Sequence, residues 1–116
     1  MLIINGVLRS EEVGGGTEWG DPSPVTISGG VISVLGPGWY EVDTEASAAS
    51  DDLDIINGLQ KGDEIMLSIA NNGRVVVLKN GTGNISIGVD TTLNATTDRM
   101  RLQYDGVNLV EASSRP

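Results

Sequence analysis

The chain has 116 residues, the length of a single domain, and carries a formal net charge of −9. It contains no cysteine and no histidine, which excludes disulfides, thiolate nucleophiles and Cys-based metal sites and removes the commonest general base. The acidic charge argues against nucleic acid as a partner, because such binding depends on neutralising phosphates, and no apolar run approaches the length that spans a membrane.

Residues 1–24 are predicted to form an N-terminal arm and a flexible linker, and residues 25–116 a β domain. The apolar residues of the arm are Leu2, Ile3, Ile4, Val7 and Leu8, with Asn5-Gly6 as a turn between them. They form either the first strand of the domain's own sheet or a strand added to the sheet edge of a neighbouring subunit. Trp19 either pins the linker to its own domain or anchors an interface, since Trp is enriched at hot spots.

Three strands are predicted after the linker. Residues 25–27 and 31–35 are strands of a hairpin about Gly29-Gly30. Residues 39–44 alternate between apolar and charged side chains, which is typical of a strand with one face in water. Its buried face carries Tyr40, Val42 and Thr44. Trp39 begins this strand and is assigned, with the arm and the linker tryptophan, to a protein interface.

Residues 46–59 are the only helix-compatible segment. Ser50 suits a helix N-cap, and the two aspartates after it are favourable in a first helical turn. Asn57-Gly58 would end the helix. The pattern predicts one or two helical turns here.

A meander of short strands is predicted over residues 62–87. The alternating apolar residues of its first strand are Ile65, Leu67 and Ile69. Asn72-Gly73 tolerates positive φ at both positions and predicts a tight type I′ hairpin to a second strand at residues 75–78. The continuous apolar run of that second strand predicts that both of its faces are covered. Asn80-Gly81 and Gly83-Asn84 turn the chain again.

The last predicted strands are residues 91–93, 99–104 and 107–111, and Asp105-Gly106 joins the final two as a hairpin. The predicted fold is therefore all-β: an antiparallel meander of short strands forming a sandwich or barrel, with one short helical turn. The turns recur at no fixed spacing, so no solenoid is predicted. A core without phenylalanine gains little from each side chain, so we expect oligomerisation to add stability.

No arrangement of residues selects a catalytic or metal site. The acidic side chains that could bind calcium are Asp43, Glu45, Asp51, Asp52 and Asp54. Their spacing departs from the EF-hand pattern, and helix capping and solvation account for them as well. Residues 81–83 resemble a phosphate loop only in their glycines, because no Gly-Lys-Ser/Thr sequence follows. We expect no enzyme, no metal and no cofactor.

The charges divide unevenly along the chain. Residues 1–54 carry ten acids against Arg9 alone, whereas residues 55–116 carry six acids and six bases. The acidic half is either a solvated surface or a surface that docks on a basic partner. The basic residues considered as a patch in the second half are Arg74, Lys79, Arg99 and Arg101. They form either cross-strand salt bridges or a site for an acidic partner, which the acidic half of a neighbouring copy would supply.

Several stretches carry a resemblance to a known family. They are Asp51-Asp52-Leu53-Asp54-Ile55-Ile56-Asn57-Gly58, Gly62-Asp63-Glu64-Ile65, Arg74-Val75-Val76-Val77-Leu78-Lys79-Asn80-Gly81-Thr82-Gly83-Asn84-Ile85 and Leu102-Gln103-Tyr104-Asp105-Gly106-Val107-Asn108-Leu109-Val110-Glu111. This string of apolar and turn positions, within residues 31–113, resembles a β-rich module of tailed-bacteriophage tail-fibre and virion-surface proteins. The resemblance implies a virion part, usually trimeric, without catalytic residues. Leu109 stands where a Trp would be expected, which weakens a carbohydrate-binding interpretation.

Chain length then favours one part of the virion. A tail fibre needs a long shaft, whereas an acidic chain of this size with an apolar arm and a linker suits a capsid decoration or cement protein. We expect a homotrimer on the capsid surface, assembled in the host cytoplasm, with the major capsid protein as its partner and no role for nucleic acid or membrane. The alternative is a tail-fibre or tail-tip receptor-binding module.

Overall fold

The computed structural model describes residues 20–112, which form ten short strands and one 3₁₀ turn at Glu45–Ser47. The strands are β1 Ser23–Thr26, β2 Val31–Ser33, β3 Gly38–Asp43, β4 Ser50–Leu53, β5 Ile55–Asn57, β6 Glu64–Ile69, β7 Val75–Leu78, β8 Thr91–Leu93, β9 Met100–Tyr104 and β10 Leu109–Glu111. The predicted all-β class is confirmed. No helix among the described residues is long and apolar enough to cross a membrane.

The strands form three sheets, with the orders β1-β3-β6-β9-β10, β4-β7-β8 and β2-β5. Within the described residues, four of the seven strand pairs are parallel: β1 with β3, β3 with β6, β4 with β7, and β2 with β5. From β3 to β5 the chain visits the five-stranded, three-stranded and two-stranded sheets in turn, and β6 and β7 begin the same circuit again. Each circuit, or pass, therefore stacks its strands in parallel on those of the pass before it, and the chain forms a coil.

The second circuit reaches the two-stranded sheet at Asn84. Its main-chain N–H donates to the carbonyl of Asp54 (3.1 Å), and its carboxamide bonds both main-chain groups of Ile56. The main-chain N–H of Leu109, in β10, donates to the carbonyl of Asn84 (2.7 Å), and the Leu109 carbonyl accepts the N–H of Ser86 (2.7 Å). Residues 84–86 thus link β5 to β10. The remaining strands run back along the coil, with β8 antiparallel to β7 and β9 antiparallel to β6.

The antiparallel meander predicted about Asn72-Gly73 is wrong. Strands β6 and β7 lie in different sheets, and both sides of β6 are already paired, with β3 and β9. The intervening turn instead spans Asn71 to Arg74: the Arg74 N–H donates to the Asn71 carbonyl (3.0 Å), and the Gly73 N–H donates to the Asn71 side chain (2.7 Å). The connection carries the chain from one sheet to the next.

The helix predicted from Ser50 is also wrong. Strands β4 and β5 occupy that segment, and the one helical turn lies just before it. The Asp51 carboxylate accepts the N–H groups of Glu45 (2.8 Å) and Asp52 (2.9 Å), so it stabilises an extended edge instead of a helix N-terminus. Pairing with β7 sets Leu53 opposite Leu78, and both side chains are fully buried. A helix in this segment would lose that strand pairing and the apolar burial that comes with it.

The predicted turn at Gly29-Gly30 is confirmed, with φ values of 60° and 81°. Ser28 and Val31 exchange two main-chain hydrogen bonds across it, of 3.0 and 3.1 Å. The flanking strands then diverge, because β1 pairs with β3 and β2 pairs with β5. The hairpin therefore consists of a single antiparallel β-bridge, between Ser28 and Val31.

The core lies between the inward faces of the three sheets and is built from aliphatic residues of all of them. Its fully buried members include Val42, Ile65, Leu67, Leu53, Leu78, Ile32 and Leu102. The alternation predicted for β3 is confirmed, since Tyr40, Val42 and Thr44 are all buried. The same holds for β6, where Ile65, Leu67 and Ile69 are buried. This leaves one face of the five-stranded sheet to present side chains outward.

The turn between β9 and β10 is fixed by the carboxylate of Asp105, which accepts the N–H groups of Val107 (2.9 Å) and Asn108 (2.7 Å). These hydrogen bonds, that from Asn108 first, lower the pKa of Asp105 below its ordinary value of 3.8. A lowered pKa in the folded state contributes stability above 3.8 that is lost as the pH falls through the folded-state pKa.

We expect Asp105→Asn, which keeps an oxygen acceptor but cannot titrate, to lower Tm at neutral pH and to flatten the fall of Tm at acid pH. The measurement is Tm by circular dichroism as the pH is lowered from 7 to below 3.8. Asp21→Asn, at an exposed carboxylate, is the control and should keep the wild-type pH profile. Parallel pH profiles for wild type and Asp105→Asn would contradict the assignment.

Candidate functional site

Of the residues assigned to an interface from the sequence, Trp39 is the one that lies in the described part of the chain. The others, Leu2, Ile3, Ile4, Val7, Leu8 and Trp19, lie outside the described residues. Trp39 is the second residue of β3, and its neighbour Tyr40 points into the core. The indole therefore projects from the outer face of the five-stranded sheet.

A row of side chains crosses three strands at this level of the sheet. Trp39 lies opposite Met66 of β6, and Met66 lies opposite Arg101 of β9. Trp39 and Met66 are half-buried and Arg101 is exposed. Arg99, just before β9, reaches back over the indole, with its guanidinium carbon 5.0 Å from the ring centroid. We refer to Trp39, Met66, Arg99 and Arg101 as the Trp39 face.

The indole is held in one orientation from two sides. Its Nε1–H donates to the hydroxyl of Ser68 at 2.8 Å. Ser68 belongs to the outward-facing row of β6, yet it is only 1% exposed, so the surrounding side chains cover it. The Arg99 guanidinium adds a cation–π contact, which contributes about 0.5–2 kcal/mol. A side chain that is already ordered loses less conformational entropy when a partner binds.

The basic side chains differ in how their charges are neutralised. Three form ion pairs, as the salt-bridge interpretation predicts: Arg74 with Asp43 (3.2 Å), Lys79 with Asp90 (2.9 Å) and Arg101 with Glu64 (2.8 Å). Arg99 instead donates to the main-chain carbonyls of Thr96 (2.6 Å) and Asp98 (3.1 Å). Within residues 20–112 no carboxylate pairs with Arg99, so the Trp39 face carries an uncompensated positive charge.

The acidic side chains that were considered as a calcium site are not gathered into one among the described residues. Residues 20–112 contain no group of three or more acidic side chains placed to hold a metal ion, and no pocket is found among them. The carboxylates of Asp51 and Asp43 accept main-chain N–H groups nearby, as in local capping.

Three strand edges, those of β1, β4 and β10, are poorly suited to pairing with another chain. The Ile27 N–H donates to Asp43, so along β1 the alternate residue Pro24 faces away from β3, and proline offers no donor there. On β4 the Asp51 carboxylate occupies the N–H of Asp52. Leu109 of β10 is already bonded to residues 84–86. Blocked edges of this kind are how β proteins avoid edge-to-edge association, so contact through a sheet face is favoured over contact through these three edges.

Sequence reasoning selected Trp39 by residue type but missed Met66, Ser68 and the stacking of Arg99. The alternation of residues 99–104 did indicate that Arg99 and Arg101 point outward, and the structure bears this out. Which strand lies beside which was the missing information. Comparisons of the chain with protein-family models, with curated proteins and with solved structures find no match.

Proposed function

We propose that this chain is a structural protein of a tailed-phage virion, a capsid decoration or cement protein that binds the capsid surface between capsomers as a homotrimer. Its partners would be further copies of itself and the major capsid protein. The proposal is supported by the sequence resemblance within residues 31–113 and by one structural observation, the ordered, half-exposed indole of Trp39 on an open sheet face.

The Trp39 face has the composition of a protein–protein hot spot. Trp and Arg are the residue types most enriched at such sites, and a few of them carry most of the binding energy. Arg99 lies over the indole, so that face of the ring is not open for stacking on a sugar. This favours protein contact over the glycan binding that a tail-tip receptor module would need.

The mechanism would be stabilisation by mass action. A protein that binds the assembled shell and not its separated subunits stabilises the shell by RT ln(1 + [L]/Kd), about 2.7 kcal/mol per site when the free concentration is 100 times Kd. Three linked copies raise the apparent affinity further, because the second and third contacts form at high effective concentration. No reactive group is required.

Trp39→Ala is the first test. We expect the variant to bind expanded capsids about 30-fold more weakly, the equivalent of roughly 2 kcal/mol, through loss of the contact itself or of trimer multivalency. Occupancy on purified capsids is measured by sedimentation over a concentration series. Val89→Ala is the control, because Val89 is 68% exposed on a loop outside the Trp39 face and should bind as wild type does.

Unchanged occupancy for Trp39→Ala would remove the Trp39 face from the proposal. A wild-type protein that ignores capsids but gives hits on a glycan array would favour the tail-tip module instead. Thermal unfolding of both variants should accompany the assay, since Trp39 also bonds Ser68 within the fold.

A further inference from the structure

A second sheet face is left half-covered, on the three-stranded sheet. The sequence predicted that β7 is covered on both sides, but within the described residues its alternate residues Val75 and Val77 are only half-buried, so that prediction is wrong. Val77 lies opposite Asp52 on β4 and opposite Thr92 on β8, and both of these neighbours are exposed. We refer to Asp52, Val75, Val77 and Thr92 as the Val77 face.

This second face is opposite in charge to the first. Within residues 20–112 the carboxylate of Asp52 takes part in no salt bridge. Lys79, just after β7, pairs with Asp90 at 2.9 Å and interacts with Asp52 only at longer range. Two carboxylates therefore share the one ammonium group, and the Val77 face combines two small aliphatic side chains with a net negative charge at Asp52. The Trp39 face combines an indole and a thioether with the uncompensated positive charge of Arg99.

We propose that the occupant of the Trp39 face is a second copy of this chain, packed through its Val77 face with Asp52 against Arg99. The inference rests on the proposed function, of which the homotrimer is a part, and it names the surfaces that would form it. Stacked sheet faces approach to about 10 Å and interdigitate their side chains, so Trp39 and Met66 of one copy would meet Val75 and Val77 of the next.

Two different faces on one subunit make a heterologous contact, and a heterologous contact gives a closed ring when its rotation closes. A ring of three uses each face once per subunit and leaves neither exposed. Two like faces would instead bring Arg99 against Arg99 or Asp52 against Asp52, which like-charge repulsion disfavours. The blocked edges of β1 and β4 likewise disfavour growth by strand addition.

Charge reversal with rescue tests this pairing. Arg99→Glu and Asp52→Arg should each weaken association of the trimer at least about tenfold, because each sets like charges opposite each other. The double variant restores an opposite-charge pair and should recover most of the wild-type association. Solution mass is measured by light scattering over a dilution series at low and high salt, with circular dichroism to confirm folding. Lys61→Glu makes the same charge change as Arg99→Glu, but at an exposed site off both faces, and should remain trimeric.

Three outcomes overturn the inference: a wild-type monomer throughout the dilution series, single variants that associate as wild type does, or a double variant no better than the singles. A wild-type monomer would also remove the homotrimer from the proposed function, whereas in the other two cases capsid occupancy, measured separately, still decides that function. A trimer that shows the charge rescue but does not bind capsids supports the interface and removes the cement function.

Discussion

Gly58→Ala is expected to destabilise the fold by at least about 4 kcal/mol, a loss that single substitutions seldom reach. Gly58 follows β5 with a φ of 108°, and a Cβ there would overlap the carbonyl oxygen of Val34 and lie 2.9 Å from its carbonyl carbon. The obstacle is main chain, and Val34 is tied to β5 by its N–H bond to Asn57 (2.8 Å). Relief would therefore require separating β2 from β5.

Gly36→Ala is the matched control. Gly36 has a similar φ of 122°, but a Cβ there would meet nothing within 4 Å. Gly36→Ala should lower the free energy of unfolding by about 1–2 kcal/mol, from backbone strain alone. Urea unfolding of both variants separates the steric overlap from the strain that they share. Equal losses would mean that the contact between Gly58 and Val34 relaxes freely.

Gly58 shows which structural features can be predicted from the local sequence and which cannot. Asn57-Gly58 was taken from the sequence as the end of a helix, whereas Gly58, with its positive φ, follows strand β5. The reason only glycine fits is that β2, from the previous pass of the coil, runs directly alongside. A neighbour one full pass away leaves no local signal in the sequence.

Inward faces were predictable because they depend on strand period alone. The buried sets Tyr40, Val42 and Thr44, and Ile65, Leu67 and Ile69, follow from alternation whichever strand lies next to them. The hairpin predicted at Asp105-Gly106 is confirmed, since β9 and β10 pair antiparallel across it. Most other partners were not predictable, because turn chemistry such as Asn72-Gly73 suggests the nearest strand in sequence. In the four parallel pairs each strand instead pairs with one a whole pass away.

The coil itself was hidden by its unequal passes. Tyr40 pairs back with Ser23 but forward with Leu67, a much longer interval. The first pass is shorter because it goes from β1 to β2 without a strand in the three-stranded sheet. A search for a fixed repeat therefore finds none, although the described passes stack in register.

The candidate site was half predictable for the same reason. Trp39 stands out by residue type, and Arg99 points outward by alternation. Their contact crosses β6, which lies between β3 and β9, and it occurs over Ser68, a side chain small enough to be covered by its neighbours. That requires the order of strands, which the sequence did not supply.

Asn84→Ala is expected to destabilise the fold by roughly 2–4 kcal/mol, because it leaves two main-chain groups of a buried residue without partners. The carboxamide of Asn84 accepts the Ile56 N–H (3.0 Å) and donates to the Ile56 carbonyl (2.9 Å), and Ile56 is only 2% exposed. Asn57→Ala, at an exposed side chain of the same strand, is the control and should change stability by less than about 0.5 kcal/mol.

Asn84→Asp makes the two hydrogen bonds separable by pH. Its carboxylate would still accept the Ile56 N–H but would set a charged oxygen against the Ile56 carbonyl, which raises the pKa of the introduced carboxyl in the folded state. A raised pKa means that its contribution is fully present below the ordinary value of about 3.9 and is lost as the pH rises through the folded-state pKa. The stability difference between Asn84→Asp and wild type, measured by urea unfolding, should therefore be smallest at acid pH and widen towards neutrality. A difference that does not vary with pH would show that Asn84 does not bridge to β5, and that the second circuit is held by main-chain bonds alone.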